Sequence, residues 1–228
     1  MAIESLSRAI GTSHPVVRDP IAEAKPRLLV LTSSPALSLM SGRDLNEVGH
    51  TADNMIETER LILRPLDQDD FPAYFAMMAD PASFVFSHRG ALTSDEAWTR
   101  LLRQSGHWSL LGYGQFAVIE KASGKFIGEV GFGDFRRDLG GEFDHCPEAS
   151  WTVIEEARGK GYATEAAHGA VKWLERHRGT RCTVCIIHSR NRSSLRIAHK
   201  LGFKPFRYAE YRGYPAIFLK RNTMGFRV

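Results

Sequence analysis

Arg158-Gly159-Lys160-Gly161-Tyr162-Ala163 is the stretch whose reading decides what this chain is. Upstream of it, Ala149-Ser150-Trp151-Thr152-Val153-Ile154 carries the β-branched and aromatic residues that suit a pleated surface, and it reads as a strand. Downstream, Ala163, Ala166, Ala167, Ala170, Val171 and Leu174 recur at helical spacing and predict a helix with one apolar face. Two glycines and a small residue occupy the junction, so the backbone can turn sharply there and leave its N–H groups bare. Amides gathered at a helix start, with the macrodipole behind them, favour an anion such as a phosphate. A nucleotide P-loop requires Gly-Lys-Ser or Gly-Lys-Thr, and here Gly161 is followed by Tyr162. A dinucleotide fingerprint requires glycine where Thr164 stands. On these six residues alone, a helix entry with a plain glycine turn is the default reading.

The flanking residues narrow it. Arg-x-x-Gly-x-Ala at 158–163 resembles the acyl-CoA loop of the GNAT superfamily of N-acetyltransferases. Asn191-Arg192-Ser193-Ser194-Leu195-Arg196-Ile197-Ala198-His199-Lys200-Leu201-Gly202-Phe203 looks like that superfamily's second signature. Ile56-Glu57-Thr58-Glu59-Arg60-Leu61-Ile62-Leu63-Arg64-Pro65 is similar to the opening strand of its RimJ/RimL branch. The three motifs occur in the family's order and span about residues 55 to 221.

The resemblance implies an α/β fold, a central mixed sheet flanked by about four helices. Its two central parallel strands, Ala149–Ile154 and Thr183–His188, would splay apart at the cofactor. Acetyl-CoA would enter there as acetyl donor, its pyrophosphate on the amides of Arg158, Gly159, Lys160, Gly161, Tyr162 and Ala163, with the Thr164 hydroxyl beside them. The pantetheine arm would run along Val153 and Ile154, and an amide between Trp151 and Val153 would polarise the thioester carbonyl. Asn191 would hold the pantetheine or cap its own helix. In this family the loop between the first two helices helps shape the acceptor site, which makes Phe84, Phe86, His88 and Arg89 candidate acceptor contacts.

Acetylating an amine takes two proton movements, one off the incoming ammonium and one onto the departing thiolate. Glu148, at the head of the central strand, and Glu210, on the penultimate strand, are the candidate bases. Many GNAT enzymes place a tyrosine seven residues after the motif asparagine as the acid on the thiol side, but this chain has Ala198 there. Ser194 is the stand-in suggested by RimJ/RimL-like proteins, with a place in the first turn of the helix as its plain structural alternative. Two function classes follow. One is acetyl transfer to a primary amine, on a protein N-terminus or a small molecule. The other is a CoA-binding sensor or scaffold with weak catalysis, which the missing tyrosine raises.

Composition sets the outer bounds. At 228 residues, 43% apolar and 25% charged, the chain is ordinary for a soluble globular protein, and no apolar run approaches the length that spans a bilayer. Net charge is +4, and residues 1–54 hold five basic against six acidic side chains, so the remainder is modestly basic. That suits an anionic cofactor and is too weak to argue for nucleic acid. Arg190, Arg192, Arg196 and Lys200 form a basic run without interleaved aromatics, and no direct nucleic-acid partner is expected. Three cysteines, Cys146, Cys182 and Cys185, are too few for a disulfide framework and are expected as buried thiols in a reducing, cytoplasmic compartment. Cys182 and Cys185 have a zinc-like spacing, but no second pair completes four ligands, so no metal is expected. Spacing of three on a strand also points them to opposite faces. A homodimer is compatible with the family.

Along the chain, Pro15, Pro20, Pro26 and Pro35 break every periodic run in residues 1–54, which reads as a poorly ordered extension, with Met55 a candidate natural start of the 55–228 domain. Asp67 is a candidate N-cap for a helix bearing Phe71, Tyr74, Phe75 and Met78. Thr93 and Glu96 form a capping-box pattern before a helix with Trp98, Leu101 and Leu102 inward. Strands are predicted over 115–120, 126–132, 148–154 and 182–188, and around 206–211 and 216–220, with a short helix from Ser193.

Overall fold

A computed structural model of the protein describes residues 52–87 and 90–223. The extension expected at 1–54 falls almost wholly outside them, as do His88 and Arg89. Eight strands form one sheet: β1 (Ile56–Glu57), β2 (Leu61–Pro65), β3 (Gln115–Glu120), β4 (Phe126–Gly133), β5 (Glu148–Val153), β6 (Cys182–His188), β7 (Lys204–Tyr211) and β8 (Tyr214–Asn222). Their spatial order is β1-β2-β3-β4-β5-β6-β8-β7, and every neighbouring pair is antiparallel except β5 and β6. Five α-helices accompany them among the described residues: α1 (Phe71–Ala79), α2 (Ser94–Leu111), α3 (Gly141–Asp144), α4 (Tyr162–Arg178) and α5 (Arg192–Lys200). Four of these match the expected number; α3 is a single turn inside the Gly-rich 134–147 connection, which the sequence reads as plain loop.

Local chemistry explains the boundaries. Asp67 accepts hydrogen bonds from the amides of Asp69 and Asp70, capping a 3-10 turn that feeds α1. Thr93 and Glu96 close a reciprocal capping box on α2, and Gly112 ends that helix with a left-handed φ of 67°. The buried stripe of α2 is Ala97, Leu101, Gln104 and Trp108, and Leu102, one residue off that stripe, faces solvent rather than the core. Gly179 caps α4 in the left-handed region, after Arg176, His177 and Arg178 in its last turn.

Strand alternation divides the core between the two faces of the sheet. Phe116 and Val118 of β3 pack with Ala166, Ala170, Val171, Trp173 and Leu174 of α4, where the rings of Trp108, Phe116 and Trp173 meet edge-on. Ala117 and Ile119 face the other way, onto Tyr74, Met77 and Met78 of α1 and Leu101 of α2. On β6, Val184 and Ile186 join a third cluster around Phe143 and Phe218, while Cys185 and Ile187 belong with α4.

That alternation also decides the cysteines, and it corrects an expectation. Cys182 points toward α3 and is disulfide-bonded to Cys146, so only Cys185 is a buried thiol among the described residues. The sequence separation of 36 hid the pairing; α3 folds the loop back so that the two Cα atoms stand 5.4 Å apart. No helix among the described residues is long and apolar enough to cross a membrane.

Candidate active site

β5 and β6 are the one parallel pair, and they touch only at their start, where Glu148 faces Val184. The Val184 amide donates to the Pro147 carbonyl at 3.0 Å, and beyond that point the strands part. A cleft of about 710 Å³ opens along the gap, from the 158–164 turn at one end to β7, β8 and the 82–87 segment at the other. The backbone of β5 lines it. The Ile154 amide donates away from the gap, to the Ile127 carbonyl at 3.0 Å, so strand alternation turns the amides of Trp151 and Val153 into the gap. A β-edge whose neighbour has moved away is a ready template for an extended ligand.

At the end of β5 the chain passes through a 3-10 turn, Glu155–Ala157, and enters the glycine junction. Gly159 and Gly161 take φ of 75° and 85°, a region where a side chain would be strained. Those two reversals leave the amides of Gly159, Lys160, Gly161, Tyr162 and Ala163 without a protein acceptor among the described residues. Five donors at the start of a 17-residue helix make an anion cradle.

The turn is gripped from behind. Arg60, in the β1–β2 turn, donates Nη1 to the Lys160 carbonyl at 3.0 Å, and it stacks over the Tyr162 ring with its guanidinium carbon 4.4 Å from the centroid. Its Nε and Nη2 reach Glu165 at 2.7 and 2.6 Å, and its amide reaches the same carboxylate at 2.9 Å. Thr58 adds a hydroxyl donor at 2.6 Å. Burial works to raise the Glu165 carboxyl, but the donors from Thr58 and Arg60 bring it below its ordinary value. The Tyr162 hydroxyl donates to Glu120 on β3 at 2.5 Å.

At the middle of the cleft Asn191 caps α5, its side-chain oxygen accepting from the Ser194 amide at 3.0 Å and the Ser193 hydroxyl at 2.8 Å. Ser194 lines the cleft, and its hydroxyl oxygen accepts from the Trp151 indole at 3.3 Å. Ala198, at the position of the expected tyrosine, is fully buried in the core.

At the far end Glu148 is 8% exposed and lies at the cleft floor. Arg137, from the 134–147 loop, meets it through Nε at 2.5 Å and Nη2 at 2.9 Å, and donates Nη1 to the Tyr211 hydroxyl at 2.7 Å. Burial raises the Glu148 carboxyl above its ordinary value, opposed by the hydrogen bonds and charge of Arg137. Phe84, Phe86, His188 and Tyr214 form the aromatic rim, with the His188 ring 5.4 Å from Phe86 and 5.6 Å from Tyr214. Arg100, also at the floor, pairs with the buried Glu129 at 2.5 Å and with the Tyr74 hydroxyl at 2.9 Å.

The structure therefore gathers Trp151, Val153, Arg158, Gly159, Gly161, Tyr162, Ala163, Thr164, Asn191, Ser194, Glu148, Phe84 and Phe86 around one cleft. Lys160 and Ile154, also expected at the cofactor, lie outside the lining. Glu210 does not join them: it is exposed on β7, the outermost strand of the sheet. Arg137, Tyr211 and Arg100 were missed in the sequence, where nothing in their neighbourhoods marks them.

Residues 60–204 match the acetyltransferase (GNAT) domain family, more than half of the chain. The chain belongs to the GNAT acetyltransferase family. A protein from Bordetella pertussis assigned to the GNAT acetyltransferases is 33% identical over 73% of this chain and 98% of its own, with a TM-score of 0.67. An acetyltransferase from Agrobacterium tumefaciens is 27% identical over 74% and 94%, with a TM-score of 0.63. RimL, a ribosomal L7/L12 α-N-protein acetyltransferase in complex with coenzyme A, shares the fold at 15% identity, over 74% and 97%, with a TM-score of 0.61. As a GNAT domain the chain is an acetyltransferase domain, a class that draws on acetyl-CoA and serves a second, acceptor substrate. The residues present fit that donor: five amides at the start of α4 have no protein acceptor among the described residues, and β5 offers an unpaired edge to a pantetheine amide chain.

Proposed function

We propose that this GNAT domain transfers acetyl from acetyl-CoA to a primary amine, on a protein N-terminus or a small molecule, within a ternary complex. The observation that carries the reading is the parting of β5 from β6, with the Trp151 and Val153 amides facing the gap that leads to the glycine cradle. Acetyl-CoA supplies there an acyl group activated as a thioester. The Gly159 to Ala163 amides hold the phosphates, and the Asn191 side-chain amide, its oxygen already spent on the helix cap, donates to the pantetheine. The Trp151 or Val153 amide donates to the acyl carbonyl, where a well-aimed backbone donor lowers a barrier by about 3–4 kcal/mol.

Glu148 accepts the proton that the acceptor's ammonium must lose, directly or through one water, before its nitrogen can attack. The C–N bond forms as the C–S bond breaks. The Ser194 hydroxyl donates a hydrogen bond to the departing sulfur, and the second proton, shed by the acylated nitrogen, passes through solvent to that thiolate. Glu148 takes this role over Glu210 because it stands at the cleft floor. Phe84 and Phe86, with His88 next in the chain, are the proposed acceptor contacts. The likeness in fold to RimL, and the exposed aromatic rim, favour an acceptor that presents its amine from a chain rather than from an enclosed pocket.

The test is thiol release from acetyl-CoA with a panel of peptides differing at the first residue, polyamines and amino acids, with mass analysis of the products. At least one amine is expected to gain an acetyl group, one per coenzyme A released. Glu148→Gln is expected to lower kcat by about 10²- to 10⁴-fold while coenzyme A still binds. Coenzyme A binding with no acetylated amine from any class would leave a binding module and overturn the enzyme reading.

A further inference from the structure

Glu148 does not act on its own, and the group that governs it comes from a segment with no counterpart among the sequence motifs. Arg137 lies between two residues in left-handed backbone, Arg136 at φ 46° and Asp138 at φ 54°. Neither is glycine, and such conformations persist only where the surroundings over-determine them. Here they do. The Asp134 carboxylate accepts from the Arg136 amide at 3.1 Å, and the Asp134 carbonyl meets His107 Nε2 at 3.1 Å. The Leu139 and Gly140 amides donate to Asp144 at 2.9 and 2.6 Å, and Arg207 donates to the Leu139 carbonyl at 2.8 Å. Past α3 the loop is tied to β6 by the Cys146–Cys182 disulfide. The Arg137 guanidinium itself lies beside the Phe135 ring, 4.9 Å from its centroid, and is held by the Tyr211 hydroxyl at 2.7 Å.

We propose that Arg137 is a positioning residue for acetyl transfer, fixing the Glu148 carboxylate as an oriented anion at the acceptor end of the cleft, with Tyr211 as its second support. This rests on the reading of Glu148 given above. A fork-on-fork pair uses one lone pair of each carboxylate oxygen and leaves the others for an amine or a water. Without its partner, a carboxylate this buried favours the neutral acid, which cannot take a proton. The other groups that bear on Glu148 are Arg103 on α2, Arg212 in the β7–β8 turn, the Tyr211 hydroxyl and the buried Cys185 thiol on β6. The two arginines act on it through their charge, and more weakly than Arg137 does.

The test reads Glu148 without any acceptor. Infrared difference spectra across pH, in full-length protein without ligands, follow the Glu148 carboxyl as the band lost in Glu148→Gln. In the native protein the band is expected to stay that of a carboxylate at neutral pH. In Arg137→Ala its midpoint should rise by at least one pH unit, and in Arg137→Lys, which keeps the charge and loses the fork, by less. Tyr211→Phe, the milder change, should move it slightly in the same direction. With an amine found to turn over, the acid limb of kcat/KM should move by the same amount while KM for acetyl-CoA holds, and millimolar guanidinium should partly restore Arg137→Ala. Coenzyme A binding and thermal unfolding check that each variant folds. An unmoved Glu148 midpoint in folded Arg137→Ala and Arg137→Lys would overturn the proposal. A shifted midpoint with no amine acetylated by native protein would leave this pairing in place and remove the function above it.

Discussion

A carboxylate in the first turn of α4 should repel the phosphates that the same turn is shaped to hold, yet Glu165 sits there. Arg60 resolves the conflict: it neutralises Glu165 through two nitrogens, and a third nitrogen anchors the glycine turn at the Lys160 carbonyl. Arg60→Ala should therefore raise KM for acetyl-CoA by roughly tenfold with little change in kcat, since it disturbs ground-state binding and not the reacting atoms. A matching fall in kcat with unchanged KM would place Arg60 elsewhere in the mechanism. Arg60 was visible in the sequence only as part of an opening strand motif. Its work depends on a partner 105 residues away, which no local pattern exposes. Glu148 was visible because it heads the strand that enters the glycine turn, whereas Glu210 looked equal to it until the strand order put β7 at the edge of the sheet. Arg137 gave no signal at all, because left-handed arginine and aspartate positions have no sequence mark comparable to glycine.

At the scale of elements, periodicity and caps served well where they stood alone. The Thr93–Glu96 box and the Ala-rich face of α4 lie where the spacing put them. The cysteines show the limit: period two correctly sent Cys182 and Cys185 to opposite faces, but counting thiols could not reveal that α3 carries Cys146 back to Cys182. Closing a segment of 36 residues stabilises the fold by about 3–4 kcal/mol in the chain-entropy account. Reduction should lower the unfolding temperature by on the order of ten degrees. Cys146→Ser should give the same loss, and reductant should add nothing further to that variant. Three titratable thiols in unreduced, denatured protein, or an unfolding temperature indifferent to reductant, would contradict the bond.

For the whole molecule, the sheet matters more than any side chain. Six of the seven strand pairings are antiparallel, and the parallel one that fails to continue, between β5 and β6, lies inside the sheet, where a lost ladder is costly unless something replaces it. The fold class and the splayed pair were legible because three motifs bracket them in order. The acceptor end was not, since it is assembled from α2, the 82–87 segment, the 134–147 loop and the β7–β8 hairpin, segments far apart in the chain. Amide hydrogen exchange by NMR, with and without coenzyme A, tests this account most directly. It predicts that ligand protects the amides of Trp151, Val153 and Gly159 through Ala163 while Thr152 and Ile154, already bonded toward β4, change little. Coenzyme A that fails to bind, or that binds and leaves those amides exchanging as before, would contradict it.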